Sequence, residues 1–161
     1  MRVFVAIECA VIKTPFTKME LIFENGYLIS VDFFCTKNLS PPVSENAKRV
    51  CQQIDDYCCK QLLKFEFDVL LKPEGTAFQK RVWRALQKIP AGQVVTYGEL
   101  AQRLKTSARA IGNACRANPV PLIVPCHRVV AKSGLGGFSG VEQGAPLKIK
   151  SALLEHEGVI L

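Results

Sequence analysis

Histidine is almost absent from this chain of 161 residues, which has only two, at 127 and 156. None precedes His127 and no Cys-x-x-Cys occurs, so the spacing that four-ligand zinc sites use is missing and no metal is expected. Long apolar runs are missing as well. Lys13, Lys18, Glu20 and Glu24 interrupt the apolar N-terminal stretch well short of the roughly 18 residues of a membrane span. The same stretch lacks a basic region, an apolar core and a small-residue cleavage site, so a cytoplasmic or otherwise intracellular protein with no membrane partner is expected. The seven cysteines are odd in number and irregularly spaced, which reads as free thiols of a reducing compartment rather than a disulfide framework.

Acidic side chains are scarce in the second half. Residues 76–161 carry twelve Lys and Arg against four Asp and Glu, whereas residues 1–75 carry nine against ten. The net charge of +7 therefore belongs to the second half. Such an excess suggests a polyanion, most often nucleic acid, with plain solubility as the competing explanation.

What is present divides into two domains, and 48% hydrophobic content suffices for their cores. In residues 1–75, Val3–Ile12, Met19–Phe23 and Tyr27–Phe34 read as strands, with Asn25-Gly26 a strong hairpin signal. From Ser44, the positions Ala47, Val50, Cys51, Ile54, Tyr57, Cys58 and Leu62 keep helical spacing. Phe65, Phe67, Val69 and Leu71 then alternate as a short strand would. In residues 76–161, a capping box of Thr76 with Gln79 opens a helix with Phe78, Val82, Ala85, Leu86 and Ile89 on one face, stopped at Pro90-Ala91-Gly92. Thr96 and Glu99 cap a second helix through Leu104, and a third runs from about Ser107 to Ala117, so the pair reads as helix-turn-helix. Ala108, Ala110, Gly112 and Ala114 make this third helix narrow, permitting close approach to another helix or, given Arg109 and Arg116, to a DNA groove. Pro146 sets the first turn of a last helix, Leu147 to about His156, closed by Gly158.

The stretch Asn118 to Val130 carries the chemistry. Prolines 119, 121 and 125 hold the backbone extended and remove amide donors, so a stiff arm is expected, neither helix nor central strand. At its end Cys126 stands beside His127, the pairing a nucleophilic thiolate needs. Four glycines between 134 and 140 follow, a backbone free to lie against a ligand, though a flexible hairpin would read the same way.

Taken together, Gly75-Thr76-Ala77-Phe78-Gln79, Val94-Val95-Thr96-Tyr97, Arg109-Ala110-Ile111-Gly112, Arg116-Ala117-Asn118-Pro119, Pro125-Cys126-His127-Arg128-Val129 and Glu157-Gly158 resemble the O6-alkylguanine-DNA alkyltransferases over roughly half the chain. The resemblance implies an α+β fold, a small ribonuclease H-like domain followed by a helix-turn-helix, winged-helix-like domain that binds DNA and carries the active site. It implies repair of O6-alkylguanine in duplex DNA by transfer of the alkyl group to Cys126, without cofactor, by a monomer, with O4-alkylthymine open as a second substrate. By match, His127 and Glu157 prepare the thiolate, Tyr97 protonates the leaving base and Asn118 braces the turn. Arg109 replaces the extruded base, and Ala108, Ala110, Thr96, Gly112, Arg116 and Arg128 meet DNA. Val129, Phe138 and Ser139 line the base pocket. The segment Val141 to Lys148 is longer than the family's Gly-Leu-x-x-Lys passage, which leaves the pocket rim open. Two rivals are a cysteine hydrolase with the same three residues and a non-catalytic lesion-sensing DNA-binding protein, whose relatives replace the cysteine.

Overall fold

The structure, a computed structural model, describes residues 4–60, 67–141 and 143–160. The chain divides into two compact units, Met1–Glu74 and Gly75–Leu161.

In the first unit, strands β1 (Ile7–Lys13), β2 (Lys18–Glu24) and β3 (Tyr27–Asp32) form an antiparallel sheet in chain order. Asn25 and Gly26 both take positive φ, 49° and 84°, the mirror-image turn whose twist matches that of the strands it joins. Ala10, Met19, Leu21, Phe23, Leu28 and Val31 are buried along these strands. Helix α1 (Glu45–Cys58) is capped by Ser44, whose hydroxyl accepts from Ala47 N, and buries Ala47, Val50, Ile54 and Tyr57. Its polar face stays outside, so burial of that stripe holds it in place.

Two expectations change here. Of the strand predicted over Phe65–Leu71, the described residues 67–71 form only a bridge between Leu71 and Leu28, with Leu28 N donating to Leu70 O at 2.9 Å. The alternation of burial is present over residues 67–71, but only one residue finds a partner. The first strand begins at Ile7 rather than at Val3. Val3, Leu62 and Phe65 lie outside the described residues.

In the second unit, helix α2 (Ala77–Leu86) starts from the reciprocal Thr76–Gln79 capping box and buries Val82, Trp83 and Leu86. Trp83, absent from the predicted apolar face, donates its indole N–H to Ala114 O at 2.8 Å, tying α2 to helix α4 (Ala108–Arg116). Helix α3 (Tyr97–Arg103) begins from the Thr96–Glu99 capping box and reaches α4 through a tight turn in which Lys105 takes φ 52°. The two-residue strands β4 (Val95–Thr96) and β5 (Val129–Val130) pair in parallel. This pairing brings the start of α3 beside the residues that follow Cys126. Helix α5 (Ala145–His156), with Pro146 in its first turn, ends at Glu157.

The arm from Asn118 to Pro125 is not extended throughout, as the prolines suggested. It folds back on itself: Val124 N donates to Val120 O at 3.0 Å, Pro121 bridges Val124, and Leu122, fully buried, takes φ 74°. Three prolines remove amide donors but do not prevent a turn between them. A positive φ at a branched side chain is strained, and here the turn bond and the burial of Leu122 hold it.

Candidate active site

The turned arm delivers Cys126, His127 and Arg128 as one turn of 3-10 helix ahead of β5. All three are buried, with Cys126 6% exposed and His127 not at all. Asn118 holds the arm in shape, donating from Nδ2 to Val124 O at 2.8 Å and accepting from Val120 N at Oδ1 at 3.0 Å. An amide side chain can do both at once.

Cys126 opens onto a cavity of about 390 Å³. Its walls come from three places: Tyr97 at the start of α3, the inner face of α4 with Ala108, Gly112 and Arg116, and the glycine loop with Phe138 and Ser139. At Gly112 an added β-carbon would meet nothing within 4 Å, so this glycine serves no packing inside the chain and keeps the α4 wall open. At Gly136, with φ 72°, a β-carbon would stand 3.0 Å from Tyr97 Cε2, so the loop can lie against the tyrosine ring only without a side chain. Phe138 and Val141 exchange both backbone bonds, 2.9 and 3.1 Å, closing a tight turn in which Ser139 and Gly140 both take positive φ. The longer segment after Val141 thus begins from a closed hairpin at the rim.

The two residues that follow Cys126 belong to a buried ionic group. His127 Nε2 stands 2.8 Å from Glu157 Oε1, and Arg128 donates from Nε to Glu157 Oε2 at 3.0 Å, from Nη2 to Oε1 at 2.9 Å and from Nη1 to Ile89 O at 2.6 Å. An ionised carboxylate only accepts, so the His127 hydrogen belongs on Nε2. Nδ1 is then the lone-pair atom, and it is buried with no hydrogen-bond partner among the described residues. Burial would raise the Glu157 carboxyl, but the hydrogen bonds from His127 and Arg128 and the charge of Arg128 bring it down to about 2. Burial lowers His127, with the charges of Arg128 and Lys150 acting the same way and Glu157 opposing.

Burial also pushes the Cys126 thiol up, against a hydrogen bond to Asn118, the charge of Lys150 and nearby backbone N–H groups. The resting group is therefore a thiol, and a thiolate has to be made when needed. Lys150, fully buried, donates to Val129 O at 2.6 Å and to Gly137 O at 2.9 Å, clamping β5 to the glycine loop. Tyr97 donates its hydroxyl to the same Gly137 carbonyl at 3.2 Å, and the ammonium lies 5.7 Å from the tyrosine ring centre. Burial lowers Lys150 to about 8.

Two predicted site residues are corrected. Arg128 was expected at DNA, but it is 5% exposed and spends its fork on Glu157 and Ile89, so no phosphate can reach it. Val129 was expected in the base pocket, but it is fully buried and not in the cavity wall; its carbonyl serves Lys150. Arg109 is exposed on α4, outside the cavity wall, Ala110 is half-buried, and the Thr96 hydroxyl is engaged in capping. Sequence reasoning missed Lys150, and it missed Cys115 and Asn113 as cavity walls. The signal for Lys150 was a lone cation within the apolar stripe Ile149, Leu153 and Leu154 of α5. No helix among the described residues is long and apolar enough to cross a membrane, and no group of three metal-ligating side chains occurs among them.

Residues 77–159 match the family model described as 6-O-methylguanine DNA methyltransferase, DNA binding domain. A methylated-DNA–protein-cysteine methyltransferase of Metallosphaera sedula is 34% identical over 92% of this chain and 91% of its own length. The crystal structure of the Mycobacterium tuberculosis O6-methylguanine methyltransferase superposes with a TM-score of 0.80 at 34% identity, covering 94% of this chain and 93% of that one. Mycobacterium tuberculosis OGT in complex with DNA superposes at 0.77 with 35% identity, covering 91% and 90%.

Proposed function

The chain belongs to the methylated-DNA–protein-cysteine methyltransferase family, and from that premise we propose that it repairs DNA by moving an alkyl group from O6-alkylguanine to its own Cys126. The observation that carries the assignment to Cys126 is its position in the wall of the cavity, in the same 3-10 turn as His127, which is paired with buried Glu157.

In this reading the recognition helix α4 enters the minor groove of duplex DNA, Arg109 takes the place of the damaged base, and the base swings into the cavity. The thiol proton passes to His127 Nδ1, directly or through a bridging water. The sulfur forms a bond to the alkyl carbon as the carbon–O6 bond breaks, and the electron pair leaves with guanine. Tyr97, at the cavity wall, supplies the proton that a poor leaving group requires. The product is a thioether. Water has no carbonyl to attack there, so nothing regenerates Cys126 and each molecule acts once. Neither metal nor cofactor takes part.

The finer fold descriptions, ribonuclease H-like for residues 1–75 and winged-helix-like for residues 76–161, go with this reading, as do a monomeric state, a cytoplasmic location and O6-alkylguanine as the preferred lesion. The antiparallel sheet of the first unit and the α3–turn–α4 arrangement of the second support the two fold descriptions. The test is incubation with an oligonucleotide carrying O6-methylguanine, followed by peptide mass analysis. One methyl group on the Cys126 peptide and a plateau of one guanine restored per active protein, unchanged by EDTA, are expected. Turnover past one equivalent would sink the mechanism.

A further inference from the structure

We propose that Arg128 is a positioning residue for alkyl transfer: by holding both carboxylate oxygens of Glu157, its guanidinium keeps His127 neutral, with hydrogen on Nε2 and the lone pair on Nδ1. This rests on the reading of Cys126 as nucleophile and His127 as its proton acceptor.

The geometry separates two jobs that a carboxylate beside a histidine can do. A lone buried Glu157 would draw a proton onto His127, because an uncompensated buried charge is neutralised by whatever partner is nearest. His127 would then be a cation with no lone pair to offer. Here the charge of Glu157 is already balanced by Arg128, which donates 3.0 Å to Oε2 and 2.9 Å to Oε1. The carboxylate still accepts from His127 Nε2 at 2.8 Å, so it fixes the tautomer without demanding a second proton. Nδ1 remains buried with no hydrogen-bond partner among the described residues. As a lone pair such an atom is tolerable, whereas as an N–H it would be an orphaned donor.

The other groups acting on His127 agree with this. Lys150, from within α5, adds a second positive charge that disfavours a cationic ring, and Glu157, from the end of the same helix, is the one group raising it. Cys126 precedes it in the same turn. The segment after α2 presents a backbone carbonyl, Ile89 O, which takes the third Arg128 bond at 2.6 Å. Three bonds to three acceptors are a task for a guanidinium; a lysine ammonium is a point charge and cannot span them. The 3-10 turn matters as well. With about three residues per turn, successive side chains diverge, yet His127 and Arg128 both reach Glu157, the C-cap of α5.

The test uses the full chain with free O6-benzylguanine, so DNA binding does not enter, and follows the rate of transfer from about pH 5 to about pH 9. For Arg128→Met, the acid limb should move up by roughly one pH unit or more, the effect of losing a nearby compensating charge. The rate should then fall about tenfold near pH 6 and approach wild type in alkali. Arg128→Lys, which keeps the charge without the fork, should fall between the two. Uniform slowing at every pH with an unmoved limb, or no change at all, would overturn the proposal, since a merely structural arginine gives that result. Should Arg128→Met fail to fold, ring-nitrogen NMR on the wild-type protein decides. His127 should be neutral with hydrogen on Nε2 near pH 6.5; a cationic ring or an Nδ1–H tautomer there would overturn it. A wild-type protein that transfers no alkyl group at any pH would instead refute the functional reading, and the NMR result would still judge the role of Arg128.

Discussion

In the first unit the ion pairs stand in water: Lys48 with Glu45, Arg49 with Asp68 and Lys72 with Glu24, and even the Lys37 that pairs with the sheltered Glu20 is 63% exposed. In the second unit His127, Arg128, Lys150 and Glu157 are all buried, and the first of them adjoins Cys126. Exposed pairs are screened and contribute little. Buried charges cost so much to desolvate that a hydrophobic substitute is often as stable. Stability alone therefore gives the second unit no reason to keep four ionisable groups inside, and proton handling at Cys126 does. Cysteine follows the same division. Of the first unit's five thiols, Cys51 and Cys58 line a cavity of about 230 Å³ that holds no histidine or tyrosine, whereas in the second Cys115 and Cys126 line one of about 390 Å³ together with Tyr97.

Four measurements would break or sharpen that contrast. Cys126→Ser should abolish methyl transfer while leaving DNA affinity close to wild type, because a hydroxyl is far harder to ionise than a thiol. Serine at Cys9, Cys35, Cys51, Cys58 and Cys59 together should leave transfer untouched, and peptide mass analysis finding methyl on a first-unit cysteine would erase the contrast. Next in size is Arg109→Ala. Extruding a base costs a few kcal/mol, so repair in duplex DNA should slow by about a hundredfold while attack on free O6-benzylguanine keeps its rate. Equal slowing of both would remove Arg109 from extrusion.

Lys150→Met sets a buried cation against an exposed one. It should cost about 1–3 kcal/mol in urea unfolding, the range for leaving a buried carbonyl, here Val129 O, without its donor. Lys37→Met should leave the unfolding midpoint where it was. Acid unfolding reads the same charge balance from the side of the carboxylate. Glu157 titrates at about 2 in the fold against an ordinary 4.5. Its ionisation therefore stabilises the fold fully above about pH 4.5, and that contribution disappears as the pH falls toward 2. The stability gap between the wild type and Glu157→Gln should narrow over that window; a constant gap would mean that Glu157 is not held ionised.

Local signals in the sequence were readable. Asn25-Gly26 and the two capping boxes at Thr76 and Thr96 are settled by neighbours two or three residues away, and they form as read. What failed depended on distant partners. Arg128 and Val129 sit next to the reactive pair, and only the direction of a 3-10 turn and the position of Glu157, 29 residues further on, decide that both face inward. The arm at residues 118–125 was misread because proline content reports lost donors, not the path of the chain. Phe67, Val69 and Leu71 alternate as a strand does, yet a strand needs a ladder of partners, and of these residues only Leu71 finds one, at Leu28 on the edge strand β3. Lys150 looked like any lysine on a helix because its acceptors, Val129 O and Gly137 O, come from elsewhere in the chain.

The un-ionised state of Cys126 at rest bears on which electrophiles the protein meets first. A permanently ionised sulfur would react with oxidants and small alkylating agents in solution, and for a group that cannot be restored every such encounter would retire a molecule before it reached a lesion. Reactivity of this kind follows thiolate fraction and access. A buried thiol, 6% exposed and held above its ordinary pKa, reserves its chemistry for an electrophile that fills the cavity long enough for the proton to be taken. The burial that makes the nucleophile sluggish is thus also what makes it selective.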